Sequence, residues 1–474
     1  MDAISMLPTH EAVLAQLNQS YYADQAQLFV LYGHRRVGKT ELLRAFVADK
    51  PHCFFIATLS SDADQLAAFS QQIWRHLHGQ EVADFTFPSW EAAFAALAVL
   101  PNRPVVILNE ITYLLDGNRS LLSTLQQVWD AQLQAAKLFL LLSGSYVATI
   151  ERELLAEHTP LHGRYTGIVH LHPLPLPATA RYFPNYSPVQ QLETWAVLGG
   201  MPYYLPVFRD QLSVFENIQQ QILHRRGALY SEPQLLLLEE LHDPRNYFSI
   251  LRAIAADQHK LSEISQAAGV GNNSTTGKYL DVLRQLGLVQ REVTVTDRRP
   301  DKNRKGLYRI TDAFLRFWFR FVHPNLRTLS LDLDEEILMQ RVKPQFDHFV
   351  AAAFVDAAHH HLALMAQAGQ LPFRPERIGR WWQERTAVPV VALNEAEQAL
   401  LVGECNWRDQ AADLPLLNRL RHKTALLNRH REWQRITYAL FSKAGFTPEV
   451  MAIAAVEGII LVPLEAMINV PDNA

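Results

Sequence analysis

Cysteine is almost missing from this chain. Its 474 residues hold two, Cys53 and Cys405, too few for a disulfide framework or a thiolate metal site. That fits a reducing compartment. A strong charge of either sign is missing as well: 44 Lys and Arg face 48 Asp and Glu, a net of −4. No whole-molecule basic field draws this protein to nucleic acid, and any such surface must be local. Long apolar runs are also lacking. The most apolar stretch, LFLLLSGSYVATI from Leu138, falls short of the roughly 20 residues that span a bilayer. The first residues, MDAISMLPTHEAVLAQL, show no basic start followed by an apolar run, so no signal peptide is expected. Repeats and long low-complexity tracts are absent. Together these absences predict a cytoplasmic protein with no membrane segment. What remains is ordinary globular composition, 49% hydrophobic and 19% charged, at a length that suggests about three domains.

The first part of the chain alternates strand-like and helix-like runs: LFVLYG, KTELLRAFVAD, CFFIATL, DQLAAFSQQIWRHLH, EAAFAALAVL, VVILNE, LLSTLQQVWDAQLQ, LFLLLSGS. This alternation predicts a parallel sheet covered by helices. It stops at the proline-rich HLHPLPLPATARYFPNYSP, which carries several helix stops.

Within the sheet, GHRRVGKT from Gly33 to Thr40 satisfies the phosphate-loop pattern, directly after a strand and opening a helix. Gly33 and Gly38 let the backbone of His34, Arg35, Arg36 and Val37 curl so that N–H groups face phosphates, next to a helix N-terminus. Lys39 would reach the β- and γ-phosphates and Thr40 would bind Mg²⁺. Glu41 completes the loop's entry into the helix. The apolar strand VVILNE ends in Asn109-Glu110, at the edge where ligands bind in open α/β sheets. Glu110 is suited to orient and deprotonate a water. Asn109 stands where an aspartate usually holds the metal's water. It can accept a hydrogen bond from that water but brings no charge. Ser143, ending LLLSGSY, can sense the γ-phosphate or cap the next helix. Arg164, after the turn PLHGRY, can serve as an arginine finger or as one half of a surface ion pair.

GHRRVGKTELL, VVILNEITYLL, LLLSGSY, PLHGRYTG and GGMPYYL together resemble the archaeal-type P-loop ATPases of the AAA+/STAND group. YFSILRAIA, FLRFWFRF, IGRWW, GECNW and FSKAGF resemble the C-terminal region of uncharacterised function attached to them. The resemblance implies ATP and Mg²⁺ as cofactors and a nuclease-like tail. By motif, Lys39 and Thr40 match the phosphate and metal residues and Glu110 the catalytic acid. Asn109 departs from the family's aspartate, which implies weaker Mg²⁺ binding and slow turnover.

Further along, HKLSEISQAAGVGNNSTTGKYLDVLRQLGLV reads as helix, turn, helix, with Ser274, Thr275, Lys278 and Arg284 on one face. A charged hairpin follows, carrying Arg298, Arg299, Lys302, Arg304 and Lys305. From Lys278 to Arg309 nine Lys and Arg outnumber four Asp and Glu, a local net of +5. This predicts a winged helix that contacts double-stranded DNA or docks a protein partner. The last part looks like a restriction-endonuclease-like hairpin, whose chemistry needs two carboxylates on adjacent strands and a lysine two residues beyond the second. Glu404 is in place, Asp347 offers a helix carboxylate, but Pro389 and Asn406 occupy the first-acid and lysine positions. Nuclease activity is therefore expected to be absent.

The expected architecture is α/β: a P-loop NTPase parallel sheet (1–185), a helical lid (186–243), a winged helix-turn-helix (244–324) and an α/β restriction-endonuclease-like domain (325–474). The expected function is a slow Mg-dependent ATPase acting as a nucleotide-controlled switch. An ATP-binding scaffold without turnover and an ATP-regulated DNA nuclease are the alternatives. The oligomeric state is not legible.

Overall fold

Strands that are apolar on both faces need cover on both sides, and the N-terminal strands are of this kind. The computed structural model describes residues 8–23, 25–80, 85–241, 243–299, 303, 305–384, 386–428 and 433–469. In it β1 (Gln27–Tyr32), β3 (Val105–Asn109) and β4 (Phe139–Gly144) are buried at every position. With β2 (His52–Ile56) and β5 (Gly167–His170) they form a parallel sheet in the order β2-β3-β4-β1-β5. Parallel strands need long crossovers, and helices supply them. After α1 (Pro8–Tyr22) come α2 (Lys39–Val47), α3 (Asp62–His78), α4 (Trp90–Ala95), α5 (Ile111–Gly117) and α6 (Leu121–Ala131). This is the P-loop NTPase type of α/β fold. Register aligns the carboxyl ends: Ile56 pairs with Asn109, and Ser143 lies between Asn109 and Leu31. Residues leaving β1, β3 and β4 therefore share one edge of the sheet.

Two compact units divide the chain. The first runs to Pro173 and includes Met201–Tyr203 and Gln285–Gly287; the second holds Leu174–Gly200, Tyr204–Arg284 and Leu288 onward. The division thus falls at 173/174, short of the 185 expected from the proline run. The segments expected as lid, helix-turn-helix and tail cluster as one body. One reason is that the Leu174 N–H donates to the Gly200 carbonyl at 2.7 Å, tying the end of the proline-rich stretch to the helix that follows.

In the second unit α7 (Pro188–Leu198) starts at a Ser187/Gln190 capping box. Then come α8 (Arg245–Ala255), α9 (Leu261–Ala268) and α10 (Asn273–Gln285), and the antiparallel pair β6 (Val289–Glu292) and β7 (Leu307–Ile310). The aromatic run after β7 is core: Phe314, Phe317, Trp318, Phe319 and Phe321 are buried, and Trp318 Nε1 donates to the Tyr230 carbonyl at 2.8 Å. Next, α11 (Lys343–Gln367) ends a helical run from Asp334 that is long and apolar enough, by length and composition, to cross a membrane. Its Phe346, Phe349, Val350, Ala353 and Phe354 are buried inside the unit, as in a core helix. The C-terminal sheet consists of β8 (Arg377–Gln383), β9 (Thr386–Asn394), β10 (Ala399–Asn406), β11 (Arg435–Ser442) and β12 (Ile460–Pro463). Between its later strands lie α12 (Leu414–Asn428) and α13 (Pro448–Glu457). Its order is β12-β11-β10-β9-β8, antiparallel from β8 to β10 and parallel from β10 to β12.

A charge knot joins these parts. Asp356 on α11 accepts from Arg380 of β8 at 2.6 Å and from Arg316 at 3.1 Å, with Arg309 of β7 at 3.8 Å. Glu292 of β6 pairs with Arg380 at 2.7 Å and Arg309 at 3.5 Å. Burial opposes the charge on Asp356, but Arg309, Arg316 and Arg380 overcome it and hold the carboxyl well below the usual carboxylate range. Removing one side of such a pair strands the other. Asp356→Asn should therefore destabilise the second unit by about 3–5 kcal/mol, read as a lower urea midpoint of the transition assigned to that unit. A contrasting acid is Glu193 on α7. Burial lifts its pKa from 4.5 to about 7, Lys443 opposing and Asp347 adding to the rise. The folded state then takes up a proton between those two values, and stability falls as pH rises through that window. Glu193→Gln should raise the urea midpoint at pH 8 and leave it nearly unchanged at pH 5.

Candidate functional site

The loop after β1 is shaped by close approach. The Gly33 N–H donates to the Gly144 carbonyl at 3.3 Å, and a Cβ on Gly33 would lie 2.3 Å from the Leu171 carbonyl oxygen. Arg36 at φ 68° and Gly38 at φ 90° turn the chain into α2, a left-handed geometry that glycine adopts without strain. At Gly38 a Cβ would also fall 2.4 Å from the His10 ring. The His10 Nε2 lies 3.2 Å from the Val37 carbonyl. A carbonyl only accepts, so this nitrogen carries the proton. Burial lowers the His10 pKa. Lys39 is buried, and its ammonium donates to the carbonyls of Gly33 at 2.8 Å and His34 at 3.0 Å. His34 is held down to about 4 by burial, with Lys39 and His172 adding to the effect, so its ring is neutral at pH 7. Arg35 donates to the Tyr113 hydroxyl at 2.8 Å, and Arg36 lies over the Tyr203 ring at 4.4 Å. Thr40 and Glu41 sit in the first turn of α2, half-buried and exposed respectively.

Beside this loop, the ends of β3 and β4 and the first turn of α5 present buried oxygens. Asn109 is 4% exposed and Ser143 fully buried. Asn109 Oδ1, Ser143 Oγ and Thr112 Oγ1 are buried without a hydrogen-bond partner. Each such atom costs about 1–3 kcal/mol unless something completes its shell. A hard cation that retains waters takes oxygen neighbours of this kind, so Thr40, Asn109 and Ser143 fit Mg²⁺ through its waters. Carboxylate charge at position 109 is the part that is missing. Glu110 stands just beyond Asn109 at φ 57°, ψ 46°. A left-handed non-glycine residue is strained and such strain collects at functional sites. Ser145 grips its carboxylate twice, with the N–H on Oε2 at 3.1 Å and the hydroxyl on Oε1.

Thr112, Ser145 and His10 therefore join the residues read from sequence. Only Ser145 had a signal there, as the second hydroxyl of SGS. Arg164 is differently engaged. Its Nε and Nη2 donate to Asp130 at 2.7 and 2.6 Å, and Nη1 donates to the carbonyls of Pro160 and His162. The guanidinium is spent on this bidentate pair, so action as a finger would require the pair to break.

The candidate nucleic-acid face divides similarly. Ser274, Thr275 and Lys278 are exposed on α10, while Arg284 pairs with Asp281 at 3.1 Å. Arg298 pairs with Glu395 at 3.0 Å. Arg299 and Lys305 are exposed, and Lys302 and Arg304 lie outside the described residues. The hairpin arm packs along β8: the Val295 N–H donates to the Arg380 carbonyl at 2.8 Å, and Arg377 Nη1 donates to the Asp297 carbonyl at 2.6 Å. That covers an edge strand. The local excess of +5 is thus reduced by acids distant in sequence, Asp356 and Glu395.

In the C-terminal sheet, the β9/β10 ladder ends at Gly403 opposite Val390, which sets Pro389 beside Glu404. Proline has no N–H to continue the ladder. Its carbonyl lies 2.7 Å from His359 Nε2. Asn406 is buried and donates to the Gln410 carbonyl at 2.8 Å and to Ser442 Oγ at 3.3 Å, a structural duty. The ammonium that sequence could not find at 406 comes from α12: Lys423 Nζ lies 2.7 Å from Glu404 Oε2. Asp347, Glu404 and Lys423 line one cavity. Among the described residues no group of three His, Cys, Asp or Glu is placed to hold a metal.

Residues 10–208 match an ATPase domain predominantly from Archaea, and residues 318–419 match archaeal and bacterial proteins of unknown function. An uncharacterized protein of Methanocaldococcus jannaschii is 27% identical over 404 residues, covering 85% of this chain and 88% of that one. Among solved structures, the Walker-type ATPase of Pyrococcus abyssi is similar at 21% identity and TM-score 0.49, covering 66% of this chain and 95% of that one. Cdc6p of Pyrobaculum aerophilum is similar at 15% identity and TM-score 0.35, covering 70% and 96%. The chain thus carries an ATPase domain of the predominantly archaeal kind at 10–208 and, at 318–419, a region shared with archaeal and bacterial proteins of unknown function.

Proposed function

We propose that this ATPase is a slow, Mg-dependent ATP hydrolase that works as a nucleotide-controlled switch. The observation that carries the reading is the level edge where the Lys39 ammonium, the unpartnered oxygens of Asn109, Thr112 and Ser143, and the Ser145-held Glu110 meet the phosphate loop. Lys39 exchanges the carbonyls of Gly33 and His34 for the β- and γ-phosphates, and the loop N–H groups take the remaining oxygens. Mg²⁺, when bound with the nucleotide, neutralises charge on those phosphates. Thr40 and Asn109 would hold it, the latter through water. Glu110 accepts the proton of the attacking water, and Ser145 fixes the direction of its carboxylate. Arg164, freed from Asp130, would stabilise charge on the transferred group. Because Asn109 lacks charge, metal affinity is reduced, and turnover is slow for that reason.

In this reading α8–α10 with β6 and β7 form a winged helix-turn-helix, and α11 with β8–β12 forms a restriction-endonuclease-like domain without cutting activity. The nucleotide state controls how these parts meet double-stranded DNA or a protein partner. Exposed Ser274, Thr275, Lys278, Arg299 and Lys305 are the DNA contacts proposed among the described residues. An ATP-binding scaffold without turnover is the competing reading.

ADP release decides between them. Lys39→Ala should fall to the buffer background, and Glu110→Gln should bind nucleotide without turning it over. Asn109→Asp should lower the Mg²⁺ concentration for half-maximal rate about 10- to 100-fold, the range for a restored metal-orienting partner. Equal rates for wild type and Lys39→Ala would remove the hydrolase reading. Adding duplex DNA to the same assay tests whether turnover is coupled to DNA.

A further inference from the structure

A cavity of about 480 Å³ opens in the second unit over the end of β10. Its wall carries Asp347, Glu404, Arg408, Arg419 and Lys423. Arg419 and Lys423 are four apart on α12 and so share one helix face. Lys423 is taken up by Glu404 at 2.7 Å, a pair whose side chains are 31% and 13% exposed. That leaves one carboxylate, Asp347, against two guanidinium groups. Among the described residues Arg408 and Arg419 have no carboxylate partner. Guanidinium forks match the tetrahedral oxygens of phosphate and bind them bidentately. A metal centre would need a second strand carboxylate, and the β9/β10 register puts Pro389 there. The space exceeds one phosphate and admits an attached sugar.

We propose that this cavity is a second anion site, which holds a phosphate group through Arg408 and Arg419 without breaking its ester bonds. The ligand is either the backbone phosphate of a nucleic-acid strand or a free phosphate. Lys423 keeps Glu404 from repelling it. The site draws no residue from the nucleotide loop, and its test does not depend on ATP turnover.

The experiment uses the full chain saturated with a non-hydrolysable ATP analogue, so that the loop at 33–40 is occupied. A fluorescein-labelled single-stranded DNA 12-mer without terminal phosphate is titrated by anisotropy at several salt concentrations, and inorganic phosphate is titrated as competitor and alone. The Arg408→Ala/Arg419→Ala double variant should bind at least about tenfold more weakly, with a log–log salt slope smaller by about 1.4 for two lost phosphate contacts. Arg408→Lys/Arg419→Lys should recover the slope and part of the affinity. Wild-type displacement of the 12-mer by phosphate assigns the strand backbone. Phosphate binding lost in the double variant, with no 12-mer affinity, assigns free phosphate. Unchanged affinity and slope for both probes in the alanine variant, at an unchanged unfolding midpoint, would overturn the proposal. So would Mg²⁺-dependent cleavage of the 12-mer that Glu404→Gln abolishes, since the site would then cut what it holds.

Discussion

Lys39 begins α2 with its ammonium buried against two carbonyls of the loop that precedes it. A buried cation is costly unless hydrogen-bonded, so this contact fixes the loop's curl, and the rest of the nucleotide edge is arranged around it. Gly33 approaches Leu171 too closely for a side chain, Gly38 turns left-handed against His10, and His34 stays neutral beside the ammonium. A phosphate anion offers the same ammonium a stronger partner than a carbonyl does. In the proposed function, loop shape and phosphate affinity therefore come from one charge.

The same accounting of buried charge organises the second unit. Asp356 and Glu292 satisfy Arg309, Arg316 and Arg380 and pin the β6/β7 pair to α11 and β8. Lys423 does for Glu404 what no residue within the strand can do. Where such pairs close, as at Arg164 with Asp130 and Arg298 with Glu395, side chains that look available in sequence are occupied. Where they do not, oxygens stay without a hydrogen-bond partner, as at Asn109, Ser143 and Thr112, or guanidinium groups stay without a carboxylate among the described residues, as at Arg408 and Arg419.

Much of the first unit was legible early. Its strands are short uninterrupted apolar runs separated by helical patterns, a local signal that survives any packing, and the phosphate loop is contiguous from Gly33 to Thr40. Asn109 and Glu110 followed from their place at a strand end. Thr112 was not legible, because its closeness to β4 depends on the β3/β4 pairing. The compact units divide elsewhere than at the end of the proline run. The proline run marked where helices stop, but not which side of it packs with the helices beyond, and the division at 173/174 depends on the Leu174–Gly200 pairing.

By itself the sequence determined the parallel α/β core, the contiguous phosphate-loop pattern from Gly33 to Thr40, the uncharged side chain at 109 and the proline at 389, since each is written in adjacent residues. Only the tertiary structure decided which charges remain free. It spent Arg164 and Arg298 on distant acids, gave Glu404 an ammonium from a helix 19 residues further on, and left Arg408 and Arg419 facing a cavity. The reason is that backbone pattern is set by near neighbours, whereas a charge is neutralised by whatever the fold brings within about 4 Å.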